Sequence, residues 1–209
     1  INSEQNEGGA TFDSKYTNIY FTRCPSEKNQ KLGCFIMSAR KSGKGFDEPE
    51  KLEFAADSFV VAHPAMMPDG ESMVFVANIP GGYGGKDLYY ATFDKREKTW
   101  SEPVNLGSAI NTADDEMFPF VKDNGDLCFA SNGHEGMGGL DIFIAPKTGT
   151  FNWGKVENMR APINSSSDDF GIIFEGNRDK GFFASNRAGG RGSDDIYFFK
   201  KPPVIFAIQ

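Results

Sequence analysis

The chain alternates short apolar runs with turn residues, and no stretch keeps a helical period for more than a turn or two. Asp-Gly and Asn-Gly pairs separate several of these runs, as at Asp69-Gly70 and Asn124-Gly125. Such pairs favour tight hairpins because Gly and Asn tolerate positive φ. In the second quarter of the chain the pattern predicts antiparallel strands over 59–66, 72–77, 88–93 and 100–106.

The same order of strands and turns recurs along the chain. A glycine-rich loop followed by Asp and two or three apolar residues appears three times, at 81–89, 136–143 and 189–197. Its aspartates, Asp87, Asp141 and Asp195, follow one another at steps of 54 residues. A regular recurrence of this length is the signature of one supersecondary unit copied along the chain.

Four antiparallel strands per copy, repeated around an axis, describe the blade of a β-propeller. We therefore predict an all-β fold: a β-propeller over 1–200, with four repeats at about 1–54, 55–109, 110–162 and 163–200. Four blades could close the ring alone, or a fifth could lie upstream in a longer chain. The segment 201–209 is expected to be either a closing strand or a linker to a following domain.

Composition and charge narrow the classes of partner. The chain is 39% hydrophobic and 13% aromatic and includes 20 Phe, enough for a core of flat side chains between blades. No apolar run approaches the roughly 20 residues of a membrane-spanning helix. The net charge of −7 argues against a nucleic-acid partner, which needs a basic surface. Because the chain begins at Ile1, it is expected to be a piece of a longer precursor.

The glycine loops allow two interpretations. Phosphate-binding glycine loops run from a strand into a helix N-terminus. Each loop here joins two strands, which favours a structural role in which Asp87, Asp141 and Asp195 accept hydrogen bonds from loop amides.

An acidic residue near the start of three repeats is the main candidate for chemistry. Glu7, Glu116 and Asp169 are equivalent and are expected at the mouth of the central channel, where they could bind a cation or act as the acid and base of a glycosidase. Val61 takes this place in the second repeat, and acid–base work needs two carboxylates in different environments. The favoured interpretation is that they satisfy backbone amides or solvate the channel mouth, so no catalytic residue is predicted.

Histidine and cysteine add little chemistry. His63 and His134 fall in different repeats, so neither a metal site nor a catalytic triad can be assembled, and no metal or cofactor is predicted. Cys24 and Cys34 stand where the first repeat lacks the glycine loop; they form either a disulfide or two free thiols. Cys128 lies in a strand and is expected to be buried.

The motif set resembles a known propeller family. An Asp-Gly turn, Phe-Ala-Ser-Asn at 129–132 and 183–186, the glycine loop with its Asp, and the segment from Trp100 to Asn111 look like the WD40-like PD40 repeat. The segments 7–13, 63–70 and 116–120 resemble the propeller of OmpA-family outer-membrane-associated lipoproteins of Bacteroidetes, which include a type IX secretion component. The first repeat departs from this pattern, having Cys24-Pro25-Ser26 in place of the loop.

This resemblance implies a non-catalytic, periplasmic interaction scaffold associated with the outer membrane, in a parent lipoprotein. Its partners would be proteins of a cell-envelope secretion or anchoring complex, with peptidoglycan bound only through another domain. Two alternatives stay open. One is a glycan- or peptide-binding propeller that uses Tyr83, His134 and Met137 on the glycine loops, and the other is a propeller glycoside hydrolase that uses the channel carboxylates.

Overall fold

The computed structural model describes residues 1–26, 32–176 and 178–200, which form four antiparallel blades arranged in a ring. The predicted all-β propeller is confirmed, and the described residues contain no α-helix. No helix in this part of the chain is long and apolar enough to cross a membrane.

Each blade is a sheet whose strands follow in chain order from the axis outwards, except for short extra strands in the first two. Blade 1 contains β1 (Asn6–Phe12), β2 (Asn18–Cys24), β3 (Phe35–Ser42), β4 (Gly45–Phe46) and β5 (Glu50–Lys51). Blade 2 contains β6 (Val61–Met66), β7 (Ser72–Ala77), β8 (Asp87–Asp94), β9 (Thr99–Trp100) and β10 (Val104–Asn105). Blade 3 contains β11 (Glu116–Val121), β12 (Leu127–Ser131), β13 (Asp141–Ala145) and β14 (Glu157–Asn158). Blade 4 contains β15 (Asp169–Phe174), β16 (Lys180–Ser185) and β17 (Asp195–Lys200).

The outermost strands are shorter than the sequence pattern predicts. The run 100–106 does not form one strand but is divided into β9 and β10, with Pro103 between them. Proline has no backbone N–H to donate to a ladder, so pairing stops there. In blade 4 the segment 201–209, predicted as a closing strand or linker, lies outside the described residues.

The innermost strands share a bulge. In each, the register with its neighbour shifts by one residue, and a residue there adopts positive φ: Gly9, His63, Phe118 and Gly171. Glycine adopts this conformation freely, whereas other residues do so at a cost of about 1 kcal/mol or more. The bulge is therefore a regular feature of every blade. In blades 2 and 3 the residue that adopts positive φ has a large side chain.

Successive blades pack face to face through apolar side chains. Phe75 lies between blades 1 and 2, Phe129 between blades 2 and 3, and Ile142 between blades 3 and 4, each without solvent exposure. Among the innermost strands, β1 packs on β6, β6 on β11 and β11 on β15. No comparable packing joins β15 to β1 among the described residues. The ring is thus packed continuously from blade 1 to blade 4.

Cysteine chemistry is concentrated in the first blade. Cys24 and Cys34 form a disulfide that links the end of β2 to the start of β3. Cys128 is a buried free thiol in β12, and burial raises its pKa to about 12. A thiol of that pKa remains protonated at neutral pH and is unreactive.

Candidate functional site

The aspartates of the glycine loops are bound by the loops that precede them. In blade 3 the amides of Met137 and Gly138 donate to the carboxylate of Asp141 at 2.6 and 3.0 Å. Asp87 and Asp195 accept bonds from the equivalent loop amides in their own blades. These bonds close the turn in front of each aspartate.

Two asparagines that the sequence analysis did not single out connect successive blades. The side chain of Asn111 accepts from the N–H of Leu88 at 2.8 Å and donates to its carbonyl at 2.9 Å. Asn164 makes the same pair of bonds to Ile142. Each asparagine lies in the connection that leads into the next blade. The recurring Ile-Asn pair in the sequence was the signal for this function.

The carboxylates predicted at the channel mouth do not share one environment. Glu116 has no solvent exposure and accepts bonds from the N–H and O–H of Thr112 and the O–H of Ser131, at 2.7 to 2.8 Å. Burial raises its pKa, and these bonds oppose the rise. Asp169, equally buried, is bound by Ser165 and by the guanidinium of Arg187.

Glu7 is the exception, because its side chain is partly exposed, at 15%. Its carboxylate accepts from Ser3 and from Nε of Arg23 at 3.0 Å, and these contacts hold its pKa below the usual range. Glu116 and Asp169 therefore stabilise the connections between blades, and Glu7 alone of the three is accessible.

The three residues predicted to bind a ligand on the glycine loops differ in their exposure to solvent. Tyr83 and Met137 are about half exposed at the tips of their loops, at 53% and 49%. His134 is turned inwards, where its Nε2 lies 2.8 Å from the carbonyl oxygen of Ile110 and its ring packs on Phe143. Tyr83 and Met137 remain available to a ligand, whereas His134 supports the loop.

A row of three aromatic rings crosses the innermost strands. The ring of His63 stacks on that of Phe118, with centroids 4.1 Å apart, and Phe118 lies 4.9 Å from Phe170. All three rings are half-buried, and they come from blades 2, 3 and 4. We call His63, Phe118 and Phe170 the aromatic row. Two of its members hold the positive φ of the bulge, and backbone strain of this kind is concentrated at functional sites in proteins.

His63 is an uncharged donor within this row. Burial, with a smaller contribution from the nearby cation of Lys86, lowers its pKa to about 4. Its Nδ1 accepts from the backbone N–H of Phe118 at 3.3 Å, so the neutral ring carries its proton on Nε2. Among the described residues Nε2 has no hydrogen-bond partner. The row therefore combines apolar ring faces with one free N–H donor.

An open cleft of about 580 Å³ lies over the innermost strand of blade 1. Gly8, Gly9 and Ala10 line it together with Phe21, and Glu7 lies at its edge. A side chain on Gly9 would meet the ring of His63 at 3.3 Å, so the cleft adjoins the aromatic row. Gly9 lies so close to His63 that no side chain would fit between them, and the three rings border the cleft without lining it. We call this space the β1 cleft; its volume lies within the usual range for small-ligand sites.

Comparisons with known proteins support the fold. No protein-family model matches the sequence, and no curated protein matches it. The structure of a β-fructofuranosidase from Schwanniomyces occidentalis is similar with a TM-score of 0.62 and 14% identity, over 95% of this chain and 44% of that one. An exo-1,5-α-L-arabinanase from a bovine ruminal metagenomic library gives 0.60 and 12%, over 92% and 73%. A puromycin-hydrolysing peptidase of Mycobacterium tuberculosis gives 0.55 and 12%, over 88% of this chain and only 26% of the peptidase.

These likenesses contradict one prediction. The chain was predicted not to be an enzyme, yet the structures that share its fold are mostly hydrolases. At 12 to 14% identity the likeness shows the fold alone and carries no reaction over to this chain. None of the similar structures supports type IX secretion, an OmpA-family parent or an origin in Bacteroidetes.

Proposed function

We propose that this propeller binds a neutral glycan in the β1 cleft, at the end of the aromatic row. The observation that carries the proposal is the stack of His63 on Phe118 beside a cleft floored by Gly8 and Gly9. Ligand sites are concave and mostly apolar, with a few polar groups that fix orientation. Nε2–H of His63 and the carboxylate of Glu7 are groups of this kind for sugar hydroxyls.

The charge of the site agrees with a neutral ligand. With its pKa near 4, His63 is uncharged at neutral pH, and Glu7 is paired with Arg23. An ionic ligand would therefore find no uncompensated partner among these groups. Glycan-cleaving enzymes are prominent among the similar structures, which adds support for a sugar over a peptide.

The test is calorimetric titration of the protein with neutral arabino- and fructo-oligosaccharides and with uncharged peptides of similar length. We expect binding of at least one oligosaccharide in the micromolar to millimolar range. His63→Asn keeps a residue that tolerates positive φ, and Phe118→Gly relieves the strain while removing the ring. Each variant is expected to weaken binding at least about tenfold, or about 1.4 kcal/mol.

A loop variant separates the two candidate sites. Tyr83→Ala with Met137→Ala removes the exposed side chains of the glycine loops and is expected to leave glycan affinity unchanged. If affinity follows the loop variant and not His63 or Phe118, or if only peptides bind, the proposal is wrong. Assaying the same mixtures for released reducing sugar determines whether the bound glycan is also cleaved.

A further inference from the structure

One face of blade 4 is apolar and exposed to solvent. Ile173, Phe182 and Phe198 are opposite one another across the three strands, so their side chains lie in one row on the same face. Ile196 lies beside this row on β17, and the rings of Phe182 and Phe198 pack with their centroids 5.5 Å apart. The four side chains are between 46% and 80% exposed. We call these four residues the blade 4 face.

The same row joins successive blades elsewhere in the ring. In blade 3 it consists of Phe120, Cys128 and Ile144, which belong to the apolar cluster between blades 3 and 4. The corresponding row of blade 2 consists of Ala65, Val74 and Tyr90. Those three side chains belong to the cluster between blades 2 and 3. The blade 4 face therefore continues the series of interfaces between blades, and its shape and chemistry suit a further β-sheet.

Blade 1 does not offer such a sheet to a second copy of the chain. The positions through which blade 3 packs back on blade 2 correspond in blade 1 to Ile19, Phe21, Met37 and Ala39. These side chains form an apolar cluster of their own and are at most 9% exposed. A head-to-tail contact of blade 4 on blade 1 would therefore meet side chains that are already covered.

From these exposures we infer that two copies of the chain form a dimer in which the blade 4 face of one packs on the blade 4 face of the other. The contact uses the same surface on both copies, so it is symmetric about a two-fold axis and closes after two chains. Sheets pack face to face in this way in β-sandwiches, about 10 Å apart. The inference does not depend on glycan binding, because the β1 cleft lies on blade 1.

The charges at the two ends of β17 determine how the two copies are oriented. Asp194 is exposed just before the strand begins, and Lys200 is exposed at its last residue. The strands of two packed sheets keep to within about 30° of one direction. If the two copies of β17 ran parallel, the Lys200 side chains would lie beside each other; if antiparallel, each would lie near Asp194 of the other copy. Because opposite charges attract and like charges repel, the antiparallel arrangement is favoured.

The size of the blade 4 face determines the strength of the expected dimer. With about 200 Å² for each large side chain, the four residues expose roughly 450 Å² in total. That equals the largest apolar patch of a typical monomer, and it is about half of the area that each partner buries in a stable complex. We therefore expect a reversible dimer with a dissociation constant of about 10 to 100 µM. At about 1 µM the chain is then monomeric, so unfolding measured there reports the isolated chain.

Sedimentation equilibrium over about 1 to 500 µM protein tests the dimer. Ile196→Glu places a charge in the blade 4 face, and its dissociation constant is expected to rise at least about tenfold, because the contact would bury that charge. The matched control is Met137→Glu, which adds the same charge at an exposed side chain on a glycine loop and is expected to associate as the parent protein does. The inference is wrong if the parent stays monomeric over this range, or if Ile196→Glu associates as strongly as the parent.

Exchange of the end charges tests the orientation. Lys200→Glu and Asp194→Lys each bring like charges together in the antiparallel dimer, so each is expected to raise the dissociation constant about three- to tenfold. The double variant restores opposite charges and is expected to associate as the parent does. A double variant that associates no better than the single variants contradicts the antiparallel arrangement.

Thermal unfolding at about 1 µM distinguishes a second copy from cover within the same chain. Ile196 is exposed in the single chain, so the Tm of Ile196→Glu is expected to lie within about 2 °C of the parent value at this concentration. A monomeric parent whose Tm falls markedly in Ile196→Glu would show that the blade 4 face is covered within its own chain, and the dimer would be excluded.

Discussion

His63 and Phe118 combine backbone strain with mutual support. Both have φ of +51° at equivalent bulges, and their rings stack face to face. The backbone N–H of Phe118 donates a hydrogen bond to Nδ1 of His63. The bond and the ring stack therefore stabilise the two strained residues together. At the residue scale this pair is the least ordinary feature of the molecule. A bulge that glycine could form is instead built on two aromatic side chains that face the axis.

Protonation of His63 should destabilise the fold. Its pKa is about 4 in the folded protein and about 6.5 in the unfolded chain, which therefore binds more protons between these values. Stability is thus lost as pH falls from about 6.5 towards 4. We expect urea unfolding to show that the free energy of unfolding of the parent protein falls between pH 7.5 and 5. The fall should be about 1 to 2 kcal/mol larger than that of His63→Asn. Parallel pH profiles of the two proteins would exclude this role for His63.

Glu116 is expected to stabilise the fold through its hydrogen bonds. Glu116→Ala leaves the donors of Thr112 and Ser131 buried without an acceptor, so we expect a loss of about 3 kcal/mol in urea unfolding. Glu7→Ala is the repeat-equivalent control, and its loss should be smaller, because Glu7 is partly exposed to water and its partner Arg23 can be solvated. A Glu116→Ala protein of normal stability that lost activity on a substrate would instead assign Glu116 to chemistry.

At the scale of elements, the glycine loops are joints between blades. A side chain on Gly84 would meet the carbonyl oxygen of Asp114 at 2.3 Å, and one on Gly138 would meet that of Ser167 at 2.2 Å. Both oxygens lie in the connection that leads into the next blade. The loops therefore need glycine for close approach between backbones, which agrees with a structural role and not with phosphate binding.

Alanine substitution in these loops should depend on the blade. Gly138→Ala forces two backbone segments apart, and we expect a loss of about 1 to 3 kcal/mol measured by chemical denaturation. Gly192 is its repeat equivalent in blade 4, where the closest atom to an added Cβ is 3.4 Å away. Gly192→Ala should therefore be nearly neutral. If both substitutions lowered the free energy of unfolding equally, the glycine would be required by the conformation of its own loop and not by the close contact with the next blade.

At the scale of the whole molecule, a residue's place in the ring decides its environment. One face of blade 4 exposes four large apolar side chains, from 46% to 80%: Ile173, Phe182, Ile196 and Phe198. The equivalent positions of blade 3 are buried or half-buried against blade 4. The repeats are thus alike in sequence and unlike in burial.

The cost of one substitution should follow this difference. Ile142→Ala removes a side chain without solvent exposure, and we expect a loss of about 3 kcal/mol in unfolding free energy. Ile196→Ala changes the equivalent residue of blade 4, which is 80% exposed, and should change stability by less than about 0.5 kcal/mol. A large loss at Ile196 would mean that the face of blade 4 is covered in solution.

The periplasmic location and the cell-envelope partners remain predictions.

Much of this architecture could be predicted from local patterns. The alternation of apolar and polar residues predicts the strands, Asp-Gly and Asn-Gly predict the hairpins, and the 54-residue step predicts the blades. The hydrogen-bond acceptors of the glycine loops also follow from local turn chemistry. These features depend on residues close together in the chain, so the sequence determines them directly.

Only the tertiary structure decided where the candidate site lies. His63 and Phe118 are 55 residues apart in the chain, and their stacking depends on how two blades pack. The same packing buries Glu116 and Asp169 but leaves Glu7 accessible, although the three are equivalent in sequence. Repetition determines what each blade is made of, whereas contact between blades determines which of the copied residues can meet a ligand.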